Sequence, residues 1–297
     1  MLSGDGLSLP AATVNAAVVD NIESLLAAIE LWAQQRHDIH AALVVGSHAR
    51  ADVPADQWSD IDIVLVVDDP MTYAADGSWL ATFGRPLLTF TESTAVGGFI
   101  ERRVLFDNGQ DVDFALLPSG AAEQIGTDPE AAAVLGRGFR VLVDKVNLQR
   151  MLPGAGAPVP PAPPDAAVFG HLTHDFWYHA LWTAKKLRRG EVWTAKECCD
   201  CYLKTLLVRL LAWHAQASHP QVDTWHGGRF LERWADRQAL HDLRSAYASY
   251  DADDVARALW VTVNLFERLE RECAERLGLE LTVAHDAIRE HLRVVLA

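Results

Sequence analysis

Leu43-Val-Val-Gly-Ser-His-Ala-Arg50, followed after a polar loop by Ser59-Asp-Ile-Asp-Ile-Val-Leu-Val66, is the part of this 297-residue sequence that decides its fold. An apolar run ending in Gly-Ser reads as a strand that turns into a helix or loop. Gly46 lets the backbone approach a phosphate closely, Ser47 adds a hydroxyl, and the amides of a turn entering a helix point at an anion. The pattern is not a P-loop, because no Gly-Lys-Ser/Thr follows. Asp60 and Asp62 stand two apart at the start of the next strand, so their carboxylates project from one face and can share a hard cation. Mg²⁺ suits such a place, since it takes a few carboxylate oxygens, water and substrate phosphates. An Asp-x-Asp taken alone carries little weight, since a strand-end pair that solvates a loop or caps a turn is ordinary.

Outward from this stretch, residues 15–35 carry apolar side chains at helical spacing: Val18, Ile22, Leu25, Leu26, Ile29 and Leu31. Short apolar runs of period two then predict strands over Ala41–Val45, Ile61–Val67, Pro86–Thr91, Arg102–Phe106 and Val112–Leu117, bounded by Gly, Pro, Asp and Asn. Around 152–166 the prolines of Leu-Pro-Gly-Ala-Gly-Ala-Pro-Val-Pro-Pro-Ala-Pro-Pro-Asp-Ala deny backbone donors and leave no apolar face to bury, which predicts a linker. Beyond it the period is helical, with helices expected over 167–189, 194–216, an interrupted 229–247, 253–277 and 283–295. The expected class is α+β, with a first domain over 1–150, a Pro/Ala-rich linker over 151–166 and an α-helical bundle over 167–297.

Half of the residues are hydrophobic, enough for a conventional core, and no apolar run is long enough to span a bilayer. The N-terminus lacks a secretory pattern, so a cytoplasmic protein is expected, with no membrane partner. A net charge of −14 and no clustered basic surface argue against nucleic acid, while such charge attracts a cationic small molecule. Acidity for solubility is the plainer account of the same number. Three of the four cysteines crowd into Cys198-Cys199-Asp200-Cys201, and reduced thiols are expected. His171, His174 and His179 do not suggest a metal site, because Mg²⁺ does not seek imidazole.

A third acidic strand entry, Asp111-Val-Asp113-Phe-Ala-Leu-Leu, joins Gly46-Ser47 and the Asp-x-Asp that begins thirteen positions after Ser47. In this combination the chain resembles the nucleotidyltransferase superfamily that includes DNA polymerase beta and the antibiotic nucleotidyltransferases. The resemblance implies an N-terminal nucleotidyltransferase domain with a mixed β-sheet flanked by helices. It implies that Asp60 and Asp62 hold metal, and that Asp113 holds a second metal or accepts the proton of the attacking hydroxyl. Asp113 matches better than Asp111, because the apolar Phe-Ala-Leu-Leu-Pro follows it.

Within that superfamily the chain resembles the aminoglycoside 6-adenylyltransferases over most of its length. The matching segments are Leu142-Val-Asp-Lys145, Asp175-Phe-Trp-Tyr178 with Ala184-Lys185, Glu191, Ala195-Lys196 and His226-Gly-Gly-Arg-Phe230. This implies ATP and Mg²⁺ as co-substrate and cofactor, with Gly46, Ser47, Arg50, Lys185 and Lys196 at the triphosphate. Asp175, Glu191 and Tyr178 are then the substrate residues, and the acceptor is a cationic aminoglycoside such as streptomycin. From spacing alone, Trp177, Tyr178 and Trp182 read as core. His48, Ala51, Val146 and the proline-rich linker depart from the family pattern, and they leave other acceptors open: another small molecule, a protein hydroxyl, or none in a nucleotide-binding regulator.

Overall fold

The computed structural model describes residues 16–50, 53–121, 128–152, 162–224 and 226–297, with side chains from residue 22 onward. Ala51 and residues 153–161 of the expected linker lie outside the described residues. The chain divides into two compact units, Met1–Val159 and Pro160–Ala297.

In the first unit, alternation of side chains builds a six-stranded sheet with two working faces. Its strands are β1 (Ile39–Val45), β2 (Ile61–Val67), β3 (Pro86–Ser93), β4 (Ile100–Phe106), β5 (Asp111–Pro118) and β6 (Arg140–Asp144), in the order β3-β4-β5-β2-β1-β6. Neighbours run antiparallel except β2 and β5, which are parallel, so the sheet is mixed. One face buries Ala42, Val44, Ile63, Leu65, Phe114 and Leu116 against Leu25, Leu26, Ile29 and Ala33 of α1 (Ala16–Gln35) and Tyr73 of α2 (Pro70–Ala75). Each fully buried Leu or Ile there contributes about 2 kcal/mol. The other face packs Ala41, Leu43, Val66 and Leu117 against Leu135 of α3 (Pro129–Gly136) and against Leu148 and Leu152.

β6 was not among the expected strands; its five residues, Arg-Val-Leu-Val-Asp, are too few to show a period. The Asp144-Lys145 pair that follows has structural partners. Lys145 Nζ donates to the carbonyls of Ala33 (2.9 Å) and Arg36 (2.6 Å), satisfying the open end of α1, and Asp144 accepts from the backbone of Leu148 (2.8 Å).

The second unit is helical: α4 (Ala166–Arg188), α5 (Val192–Glu197), α6 (Leu203–Ser218), α7 (Leu231–Trp234), α8 (Arg237–Leu243), α9 (Ala252–Leu277) and α10 (His285–Leu296). Asp165, Asp236 and Asp251 cap α4, α8 and α9, accepting from the backbone N–H three residues on at 2.8, 2.9 and 3.0 Å. The core centres on Phe176 stacked on Phe266, with Leu207, Leu210, Leu259 and Val263 around them. The helix expected over 194–216 is broken into α5 and α6 by a π-turn at Cys198–Tyr202. Buried Lys204 ties that turn down, donating to the Cys199 carbonyl (2.9 Å) and to Thr262 Oγ1 (2.8 Å). The four cysteines are unpaired.

Candidate functional site

Two register facts bring the acidic residues of the first unit together. Val45 of β1 lies opposite Asp62 of β2, and Asp62 lies opposite Asp113 of β5, so the Gly-Ser turn and both aspartates meet at one end of one sheet face. Asp60, Asp62 and Asp113 each offer a carboxylate oxygen within 4.8 Å of the others. Asp111, one strand alternation away, is exposed.

The turn at Gly46–His48 fits closely over this cluster. Gly46 has φ +68°, and a Cβ there would lie 1.9 Å from Asp62 Oδ2, so both backbone and space demand glycine. Ser47 is buried, its carbonyl accepts from Ala55 N (3.1 Å), and its Oγ donates a long bond of 3.4 Å to the Asp60 carbonyl. The His48 ring bonds the backbone of Ser59, and burial lowers its pKa; its Nε2 is buried without a partner. Arg50 follows, half-buried.

Asp113 is the most perturbed member. It is only 5% exposed, and its pKa is pushed up to about 7, first by burial and then by the charges of Glu101, Asp60 and Asp111, with Arg103 opposing. Arg103 Nη2 lies 3.3 Å from Asp113 Oδ2 and also reaches Glu101 Oε2 at 3.2 Å. A cavity of about 210 Å³ adjoins the carboxylates, lined by Asp62, Glu101 and Asp113 and otherwise mostly by apolar groups such as Leu43, Leu117 and Leu135.

Three clustered carboxylates with no thiol or imidazole among them form a hard oxygen donor set, which fits Mg²⁺. Burial raises the pKa of Asp113 first and its carboxylate neighbours add to it against Arg103, so a divalent cation would find charge to offset there.

The remaining sequence-derived residues lie in the second unit. Asp175 accepts from Tyr202 Oη at 2.9 and 2.8 Å and lies 2.7 Å from His179 Nδ1. Tyr178 is 68% exposed, its ring 5.1 Å from that of His179, whereas Trp177 is core and donates to Glu270 at 2.9 Å. The core reading therefore holds for Trp177 and fails for Tyr178, whose neighbouring position faces outward. Glu191 is paired with Lys186 at 2.7 Å and with Arg189. Lys196 is held by Asp200 and by the Ala248 carbonyl, and Lys185 is exposed with no side-chain partner among the described residues.

Sequence reasoning missed Glu101, Arg103, His179 and Tyr202. For the first two a signal existed: Glu101-x-Arg103 places two charges on one face of a strand that is otherwise half-buried. Tyr202 had none, because the π-turn sets its direction.

Residues 20–295 match the family described as streptomycin adenylyltransferase. The chain is 22% identical over 254 residues to an aminoglycoside 6-adenylyltransferase of Bacillus subtilis (strain 168), covering 81% of this chain and 85% of that one. It is 21% identical over 271 residues to the protein of the same name from Campylobacter jejuni, covering 86% and 88%. A crystal structure of an aminoglycoside 6-adenyltransferase from Bacillus subtilis aligns over 91% of this chain and 97% of its own, at 18% identity and a TM-score of 0.43. Because the family match takes in both units rather than the aspartate motif alone, the chain belongs to the streptomycin adenylyltransferase family, and its enzyme class is nucleotidyltransferase.

Proposed function

We propose that this protein transfers AMP from ATP to a hydroxyl of a cationic aminoglycoside, streptomycin being the first acceptor to test. The observation that carries the reading is the row Asp62–Asp113, with Asp60 beside it and Gly46 closed over it at a distance no side chain would allow.

In this reading the first unit performs the nucleotide chemistry and the second recognises the acceptor. The backbone of the Gly46-Ser47 turn receives the triphosphate, with Arg50 beside it. Asp60 and Asp62, with or without Asp113, would hold Mg²⁺. When bound, the ion offsets charge on the phosphates and on the departing pyrophosphate. The acceptor oxygen forms a bond to the α-phosphorus as the bond to the bridging oxygen breaks, and pyrophosphate leaves with that electron pair. The acceptor proton goes to a carboxylate. Asp113, opposite Asp62 in the β2–β5 pairing, is the carboxylate we assign to that task.

Asp175, flanked by the rings of Tyr202, His179 and Tyr178, suits an ammonium or guanidinium group, and Glu191 adds a second carboxylate. Of the two lysines that the family resemblance implies for phosphate, Lys185 is exposed and Lys196 is paired with Asp200. The net charge of −14 favours encounter with a polycation. Among the described residues no helix is long and apolar enough to cross a membrane, and we place the protein in the cytoplasm, where ATP is supplied. Adding AMP to the drug would block a hydroxyl and add negative charge, which confers resistance.

The test is incubation of purified protein with ATP and Mg²⁺ and, separately, streptomycin, spectinomycin and kanamycin, with mass spectrometry of the products. Streptomycin heavier by one AMP is the expected result. Pyrophosphate release without modification of any aminoglycoside would overturn the acceptor and leave the transfer chemistry.

A further inference from the structure

β4 carries two arginines in succession, and the strand's alternation sends them to opposite faces. Arg102 is buried on the α2 side, where it donates to the Tyr73 carbonyl (3.1 Å), to the Ala74 carbonyl and to Thr89 Oγ1 (3.1 Å). Its work is to tie the end of α2 to β3 and β4. Arg103 lies on the other face, directly opposite Asp113 in the β4–β5 register.

We propose that Arg103 is the positioning residue for Asp113, held in place by Glu101 and Glu92; the inference rests on the nucleotidyl-transfer reading of the aspartate cluster. Arg103 Nη2 lies 3.3 Å from Asp113 Oδ2, a charge contact across the β4–β5 pairing. The guanidinium charge is thus set beside the carboxylate that faces Asp62. The guanidinium is itself clamped. Nε and Nη2 both reach Glu101 Oε2 at 3.2 Å, and Nε lies 2.7 Å from Glu92 Oε1 across the β3–β4 ladder. Two donors to Glu101 and the charge of Glu92 hold the guanidinium at one place, so its charge and planar face bear on the Asp113 carboxylate from a fixed side.

An ordinary surface ion pair does not account for this arrangement. Asp113 is 5% exposed and has carboxylate oxygens of Asp60 and Asp62 within 4.8 Å, so the cation paired with it acts on the whole cluster. A guanidinium there has two effects of opposite sign. It orients the carboxylate, which aids transfer, and it repels a divalent cation, which weakens metal binding. An arginine that serves only the fold has no such signature, because its loss lowers metal affinity, turnover and melting temperature together.

The experiment compares wild type, Arg103→Met and Arg103→Lys by Mn²⁺ titration without nucleotide, by steady-state AMP transfer to streptomycin, and by thermal melting. Arg103→Met is expected to lower kcat at least tenfold, with KM for ATP within twofold of wild type and Mn²⁺ bound at least threefold more tightly. Arg103→Lys keeps the charge and lacks the fork, so its Mn²⁺ affinity should stay within twofold while kcat falls. An Arg103→Met protein that turns over within twofold of wild type, or that loses Mn²⁺ affinity along with kcat, overturns the inference. If Arg103→Met does not fold, Arg103→Lys decides, and a wild-type kcat in that variant overturns it. A wild type that binds Mn²⁺ but modifies no aminoglycoside removes the acceptor reading alone; failure of Arg103→Met to tighten Mn²⁺ then overturns the placement of Arg103.

Discussion

Replacing Asp113 by asparagine should make the metal-free protein more stable at alkaline pH while removing its transfer activity. The folded protein raises this carboxyl from 3.8 to about 7, so it holds the proton more tightly than the unfolded chain does. The stability that proton confers is complete below about pH 4 and is lost as pH rises through about 7. Above that, folding must bury an ionised carboxylate beside Asp60 and Glu101. At about 1.4 kcal/mol per pH unit, a rise of this size corresponds to at most roughly 4 kcal/mol. Water reaching the adjoining cavity weakens the effect, and a gain of about 2 kcal/mol is expected for the variant at pH 8. Arg103 keeps Glu101 and Glu92 in the variant, so no charge is orphaned. The assay is urea unfolding in EDTA at pH 8 and pH 4.5. With a gain of that size, the advantage of Asp113→Asn should shrink at pH 4.5 to about half of its pH 8 value. Added Mg²⁺ should stabilise wild type more than the variant. A variant no more stable than wild type at pH 8 would refute the account of Asp113 as a carboxylate strained by burial.

Gly46→Ala places a methyl against Asp62 Oδ2 in a backbone conformation that costs an L-residue about 1 to 2 kcal/mol, so both melting temperature and turnover should fall; unchanged activity would show that the turn does not seat on Asp62. Asp60→Asn should abolish turnover and weaken Mn²⁺ binding with little change in melting temperature, and full turnover would remove it from the metal set. Asp175→Asn should raise KM for streptomycin about tenfold while leaving KM for ATP unchanged, consistent with loss of a charge-assisted bond of roughly 1.5 kcal/mol or more. An effect on ATP instead would move Asp175 to the nucleotide.

What the sequence made legible was what depends on local period and spacing. β1, β2 and β5 announce themselves by alternation, and an Asp-x-Asp at a strand start puts two carboxylates on one face whatever the rest of the chain does. The capping aspartates of α4, α8 and α9 likewise act within three residues. Arg103 was not legible, because a charged residue in a strand reads as facing solvent until the register shows Asp113 opposite it. Tyr202 depends on a π-turn whose sequence, Cys-Cys-Asp-Cys-Tyr, holds no proline or glycine to mark it. Lys196 shows the reverse case: four residues before Asp200 in a helix, its carboxylate partner was in reach of spacing alone, while the family resemblance implied phosphate.

The single parallel pairing in the sheet, β2 beside β5, has a consequence for how the protein is made. β2 leaves the ribosome with Asp60 and Asp62, but its partner arrives only after α2 and the β3–β4 hairpin have been synthesised and turned back alongside. Until β5 inserts, the nascent chain carries two carboxylates of an incomplete cluster, and the closing of that long loop is paid for before any cation can gain from it. In the proposed reading metal affinity would mature with topology, and Mn²⁺ binding would report that β5 has been inserted beside β2.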